Sequence, residues 1–465
     1  MKNKYFDLID QTFYFPSYDF GLANDRLTFH GIPLTEVAEK FGTPLKLTYL
    51  PKIGSQIEKA RKLFGDAMAK SNYKGNYHYC YCTKSSHFSF IIDEVLKHNG
   101  QLETSSEFDI NLIWHLFESG KINKNTYIVC NGYKLPGYIS KIAGLIEAGF
   151  ENVIPILDNL DELDQYGHYT QKPFQIGIRI AAEEEPNFEF YTSRLGIRYS
   201  DIVPFFEKKI ANNPQVKLKM LHFFINTGVK DDAYYWSELN KCIHVYCDLK
   251  KLSESLNAFD IGGGFPVPNS MTFDYDYEYM TNEIVQSIKT ACDNAKVETP
   301  DIFTEFGSFT VAESGAALYS IIAEKKQNDN EKWYMIDSSF ITTLPDTWGI
   351  GQRFILLAVN HWDKEYQRVN LGGLTCDSQD YYNAEVHVNQ VFLPKPDDNS
   401  KIYIGFFHTG AYQESLGGYG GIQHCLVPAP KHILVDKDEH GEFTYKVFAE
   451  QQSADSMMKI LGYIK

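Results

Sequence analysis

Eight times between residues 77 and 307 the chain alternates a short run of β-branched or aromatic residues with a stretch that fits a helix. The runs are 77–84, 100–105, 126–132, 153–159, 175–182, 218–225, 258–263 and 302–307. Neighbouring parallel strands need a long crossover, which a helix supplies, so this alternation predicts a parallel sheet, and eight units predict that it closes into a (β/α)8 barrel. In the stretch 107–119, Phe108, Ile110, Ile113, Leu116 and Phe117 approximate one 3.6-residue stripe. A barrel of this kind carries its chemistry at the carboxyl ends of its strands. The polar residues that interrupt the runs fall there: Lys84, Glu103, Asp158, Arg179, Thr227, Gly262 to Gly264 and Glu305.

Beyond about residue 320 the pattern changes to short alternating runs, 333–340, 366–374, 384–393 and 401–408, with turn-rich connectors such as Lys395-Pro-Lys-Pro-Asp-Asp-Asn-Ser400. That predicts antiparallel sheet. The expected organisation is an N-terminal segment 1–40 packing with the β domain, a barrel over 41–320 and a C-terminal β domain over 321–465. At 465 residues, 43% hydrophobic and 15% aromatic, the chain has apolar surface enough for two cores. Its net charge of −16 would repel nucleic acid and anionic membranes, but not a small cationic substrate. Without a leader-like start or a membrane-length apolar run, a cytoplasmic address is expected. The eight cysteines are scattered and are expected to be reduced and buried. Neither Cys80-Tyr-Cys82 nor Cys242-x4-Cys247 has a second pair or histidines at zinc spacing, so no metal site is expected.

Individual motifs carry a chemical and an ordinary reading. Lys84 follows an apolar-aromatic strand; a lysine buried at that end would lose its proton readily and form a Schiff base, whereas most lysines are solvated surface. Asp260-Ile-Gly-Gly-Gly-Phe-Pro266 suggests a phosphate site at a helix N-terminus, since a tight turn explains one glycine rather than three. Glu305 ends the next run and suits a protonated pyridine nitrogen, or a structural ion pair. Gly373-Leu-Thr-Cys-Asp-Ser-Gln-Asp380 places a thiol beside carboxylates, although a cysteine is often only a buried filler. Gly405-Phe-Phe-His-Thr-Gly-Ala-Tyr412, followed by Gln413, Glu414 and glycines to Gly421, reads as a loop that approaches a ligand.

The ordered set of Lys84, Gly262 to Gly264, Glu305, Cys376-Asp377 and Gly410-Ala-Tyr412 resembles the fold-type III (alanine-racemase-like, or ornithine-decarboxylase-like) family of pyridoxal-phosphate decarboxylases. Cys130-Asn-Gly-Tyr-Lys134, Leu344-Pro-Asp-Thr-Trp-Gly-Ile350 and Gly405-Phe-Phe…Gly410-Ala-Tyr-Gln-Glu414 are similar to runs of its biosynthetic arginine decarboxylases. The similarity spans roughly residues 40 to 428. The chain departs from that subgroup in three ways: its length leaves no room for the usual inserted helical segment, Phe224 stands where a second histidine is usual after His222, and Glu305-Phe-Gly-Ser308 lacks the usual arginine.

The resemblance implies pyridoxal 5'-phosphate carried on Lys84, with Glu103, Arg179, His222, Phe224, Thr227, Gly262, Gly263, Gly264, Glu305 and Tyr412 around it. It implies Cys376 as the proton donor and Asp346 and Asp377 as partners of a guanidinium, the product being agmatine for polyamine and spermidine biosynthesis. Asp346 has the alternative of capping the turn after Pro345. The resemblance also implies a homodimer with shared active sites, and leaves a higher oligomer and a Mg2+ requirement open. Ornithine, lysine, meso-diaminopimelate and carboxynorspermidine remain alternative substrates. A non-catalytic regulatory relative is the alternative of another class; it would be expected to have lost the lysine or the cysteine.

Overall fold

The computed structural model describes residues 4–5, 17, 19–183, 193–383, 390–397 and 400–465. The chain divides into two compact units, one of residues 53–266 and 275–310, the other of residues 1–52, 267–274 and 311–465. The sequence placed the divisions at 40/41 and 320/321; in the structure they fall at 52/53 and 310/311.

The first unit is a closed barrel of eight parallel strands: Tyr77–Cys82, Gln101–Thr104, Ile128–Cys130, Val153–Leu157, Phe174–Arg179, Val216–His222, Ala258–Asp260 and Asp301–Phe306. The ring shuts where Ile302 to Phe306 pair with Tyr77 to Tyr81. Each run expected from the sequence overlaps one of these strands, three of which start one or two residues before the run. Cys80, Val129, Ile154, Ile156, Met220, Ala258 and Phe303 form a common buried cluster. Helices follow the local signals. Glu107–Glu118 starts at a capping box in which Ser106 and Asp109 satisfy each other's backbone N–H groups. Asp232 caps Ala233–Leu252, and Asp276 caps Tyr277–Ala295. Ile110, Ile113 and Leu116 are buried as expected, but Phe108 is 73% exposed. Asp109 is buried in its place, held by Ser105, Ser106 and His87, so polar bonding overrides the apolar stripe at this position.

The second unit is built on a nine-stranded sheet. Its main path runs Tyr381–Tyr382, Asn370–Gly372, Lys332–Ile336, Gly315–Lys326, Leu45–Tyr49, Lys431–Lys437, Phe443–Ala449. Tyr403–Phe407 pairs with both Gly315–Lys326 and Ile355–Ala358. Most pairings are antiparallel; the expectation is corrected at two, where Lys332–Ile336 runs parallel to Asn370–Gly372 and Lys431–Lys437 parallel to Leu45–Tyr49. Leu27, Phe29, Ile32 and Leu34 are fully buried in this unit's core with Leu318, Phe407 and Val435. Of the expected run 384–393, residues 384–389 lie outside the described residues.

Candidate active site

In the barrel unit the candidate residues stand on the last residues of strands or just beyond them. Lys84 lies in a short turn, Thr83–Ser85, after the first strand. Its Nζ is 4.0 Å from Glu103 Oε2, and 47% of its side chain is exposed. The lysine expected to be buried is therefore half exposed, because the turn carries it past the last strand residue, and the desolvation argument falls with its premise. Glu103 and Glu305 each sit one residue before a strand end, and both are buried.

The two carboxylates share a bond donor. Asn131, just beyond the third strand, donates through Nδ2 to Glu103 Oε1 at 3.1 Å and to Glu305 Oε1 at 2.8 Å. His222, the last residue of the sixth strand, puts Nε2 3.0 Å from Glu305 Oε2. Burial opposes ionisation of Glu305, yet the charge and hydrogen bond of His222, the charge of Lys84 and the Asn131 amide hold its carboxyl at about 2. Asp260, which ends the seventh strand and accepts the Gly262 N–H at 2.8 Å, moves the other way: burial and then the Glu305 charge push it well above the carboxylate range. One of two adjacent acids is kept charged and the other neutral.

Arg179 ends the fifth strand with its guanidinium carbon 5.8 Å from the centre of the half-buried Phe224 ring; burial lowers its pKa. Asp158 follows the fourth strand and accepts the Gly196 N–H at 2.9 Å. The triple glycine is not at a helix N-terminus: the next helix starts at Tyr277, after a long irregular segment. Backbone crowding accounts for all three glycines. A Cβ at Gly262 (φ +68°) would lie 2.8 Å from Phe223 O, one at Gly263 2.2 Å from Glu305 O, and one at Gly264 (φ +108°) 2.7 Å from Gly228 Cα. The loop carrying Thr227 is tied to this segment by Val229 N–H to Gly264 O at 2.8 Å.

The β-rich unit holds the remaining candidates on loops and in one short helix. Cys376 and Cys425 are exposed, against the expectation of buried thiols, while the other six cysteines are buried. Their Sγ atoms are 3.6 Å apart; the Cys425 contact, and to a smaller extent Asp377, raises the Cys376 pKa. Asp346 lies in the short helix Pro345–Gly349, where its Oδ2 accepts the Gln413 amide at 2.7 Å and its N–H donates to Gln413 Oε1 at 3.3 Å. It is half-buried, and burial raises its pKa. Tyr412 precedes Gln413 with a left-handed backbone, φ +66°.

Asn131 and Asp260 were missed as site residues although both lie in motifs that stand out in the sequence. Their signal was position alone: each sits at the carboxyl end of a barrel strand. A bound pyridoxal phosphate can be tested against the barrel's polar groups. Ser85 Oγ, Arg179 Nε and Thr227 Oγ1 are buried with no hydrogen-bond partner among the described residues. Unpaired buried donors are costly, so a ligand rich in acceptors suits these residues. Glu305, held ionised, is a carboxylate of the kind that a protonated pyridine nitrogen would require.

Residues 53–312 match the pyridoxal binding domain of the pyridoxal-dependent decarboxylases. The chain belongs to this family. A biosynthetic arginine decarboxylase of Prochlorococcus marinus (strain MIT 9215) is 20% identical over 92% of this chain and 83% of its own. That alignment runs over 550 positions, more than the 465 residues here, so the relative carries segments with no counterpart in this decarboxylase. Arginine decarboxylase 2 of Arabidopsis thaliana is 22% identical over 89% and 72% of the two chains. Among solved structures, a biosynthetic arginine decarboxylase of Campylobacter jejuni superposes with a TM-score of 0.81 at 20% identity, covering 96% of this chain and 89% of the other. A diaminopimelate decarboxylase of M. jannaschii gives 0.78 at 17% identity, covering 95% and 97%. These superpositions place the decarboxylase fold across nearly the whole chain. No helix among the described residues is long and apolar enough to cross a membrane.

Proposed function

We propose that this decarboxylase converts L-arginine to agmatine and CO2, as a cytoplasmic homodimer with shared active sites, at the start of a route to polyamines. The observation that carries the reading is the polar assembly at the barrel's strand ends, in which His222 and Asn131 keep Glu305 charged close to Lys84. Lys84 is the amine that holds the cofactor covalently. Bound pyridoxal phosphate supplies an electron sink for the pair left on Cα when CO2 departs. Glu305 pairs with its pyridine nitrogen, and its low pKa keeps that pairing charged at neutral pH. The Thr227 hydroxyl, the backbone of Gly262 to Gly264 and Tyr412 hold the phosphate. Phe224 offers an aromatic face, backed by Arg179, and Glu103 is a further acceptor beside Lys84. Cys376 delivers the proton to Cα.

Arginine is preferred on two grounds: arginine decarboxylases recur among the relatives, and Asp346 and Asp377 are carboxylates suited to a guanidinium. Meso-diaminopimelate would demand a basic partner for its distal carboxylate. The test is CO2 release from arginine, ornithine, lysine, meso-diaminopimelate and carboxynorspermidine by the purified holoenzyme. A preference for diaminopimelate overturns the arginine reading and leaves the family assignment intact.

A further inference from the structure

Two exposed thiols and an imidazole meet in the β-rich unit, from positions 49 residues apart in the chain. The donor atoms of Cys376, His424 and Cys425 all lie within 4.8 Å of one another. Tetrahedral zinc, with Zn–S bonds of about 2.3 Å, sets two thiolate sulfurs about 3.7 Å apart, and here they are 3.6 Å apart. The sulfurs are in contact as two thiols rather than joined at about 2.0 Å, so both remain available as donors to one ion. Asp377 Oδ2 is 3.9 Å from His424 Nε2, within reach to orient the imidazole or to serve as a fourth ligand. The backbone is bent at this point: Cys425 has φ 55° and Leu426 φ 53°, two successive non-glycine residues in the left-handed region. That conformation is unfavourable for residues with a side chain and persists where surrounding structure or function fixes it. A turn held only by chance would relax.

We propose that Cys376, His424 and Cys425 form a binding site for a thiophilic divalent cation of the zinc class, with Asp377 or water completing the tetrahedron. Softness selects the metal: two thiolates and an imidazole favour Zn2+ or Co2+ over Mg2+. Binding displaces one proton from each thiol. Cys376, once ligated, has no proton to deliver, so the ion switches the enzyme off; this consequence rests on the role proposed for Cys376, whereas the site itself does not.

The test titrates Co2+ into the reduced holoenzyme and reads the visible d–d absorption of the ion, whose strength separates tetrahedral from octahedral coordination. One Co2+ per chain is expected, displaced by an equivalent of Zn2+, with affinity falling at least about tenfold in Cys425→Ser and in His424→Gln. Both variants should retain decarboxylation but lose its inhibition by Zn2+. A weak octahedral spectrum, or a band unchanged in both variants, overturns the site. A band that behaves as expected while Zn2+ leaves decarboxylation untouched overturns instead the role of Cys376 and the switch.

Discussion

The two units present their candidate chemistry in opposite ways. In the barrel, Glu103, His222, Asp260 and Glu305 belong to strands, are buried and bond to one another or to strand-end neighbours. In the β-rich unit, Cys376, Asp377, Cys425 and Tyr412 stand on loops or beside short turns, and both thiols are exposed. A buried ladder fixes charge states strongly, as the divergence of Glu305 and Asp260 shows, and suits a resident cofactor. Exposed loops fix position weakly but leave thiols and carboxylates open to substrate and ions. If this division is real, barrel substitutions should damage cofactor binding, while loop substitutions should spare it and change the product or the substrate.

The largest effect is expected at Lys84. Lys84→Ala should lower turnover by about a thousandfold or more and remove the borohydride-sensitive absorption of the bound cofactor. A variant that keeps that absorption would remove the lysine from its role. On the other side of the comparison, Cys376→Ala should keep the cofactor yet slow agmatine formation about a hundredfold or more, as for loss of a proton donor. Misplaced protonation should then yield pyridoxamine phosphate and an aldehyde, measured by chromatography of single-turnover products. Wild-type rates without such by-products would make Cys376 structural.

Asp346→Asn sharpens the substrate side. Leaving a guanidinium half-paired costs roughly 2–4 kcal/mol, a loss of about thirty- to a thousandfold in kcat/KM for arginine, with little change for uncharged or shorter substrates. Because Asp346 is also bonded to Gln413, a parallel Gln413→Ala control separates pairing from positioning. In the barrel, Asn131→Ala strips a donor from both Glu103 and Glu305. A bond to a charged group is worth about 1.5–3 kcal/mol, so kcat/KM should fall about 10- to 100-fold, and the acid limb of the pH–rate profile should move to higher pH. An unchanged profile would reduce Asn131 to packing.

The smallest effect contrasts the units' acid stability. Burial holds His30 and His432 of the β-rich unit down to about 4, against the partly compensating carboxylates Asp19 and Glu414. The unfolded histidines take up protons near 6.5, so between pH 6.5 and 4 the unfolded state binds more protons and stability falls as pH falls. Glu305 in the barrel, held at about 2, contributes above its unfolded value near 4.5 and loses that contribution only as pH drops from there towards 2. Between pH 7 and 5 the β-rich unit should therefore lose roughly 1–2 kcal/mol for each histidine while the Glu305 contribution holds. Hydrogen exchange resolved by unit is the measurement, and equal loss of protection in both units would contradict it.

The barrel was legible in the sequence because period and spacing are local properties: each run of apolar residues declares its own strand, and the chemistry of a parallel barrel must lie at the ends. The same locality explains where reading failed. The pattern put Phe108 in the core, but whether a side chain is buried depends on what packs over it, and Asp109 took that place through its bonds to Ser105, Ser106 and His87. Three glycines looked like a phosphate loop opening a helix; their actual constraint comes from backbone at Phe223, Gly228 and Glu305, none adjacent in sequence. Pairing is the other thing a sequence does not carry. Asn131 meets Glu305 across 174 residues, and Cys376 meets Cys425 across 49, so no motif spacing announced either contact. The sequence by itself determined the strand count and the residues at the strand ends, because side-chain periodicity follows from backbone geometry. Only the tertiary structure decided which of those residues touch, which are sealed from water and therefore which carry charge, because contact and desolvation arise when distant segments close on one another.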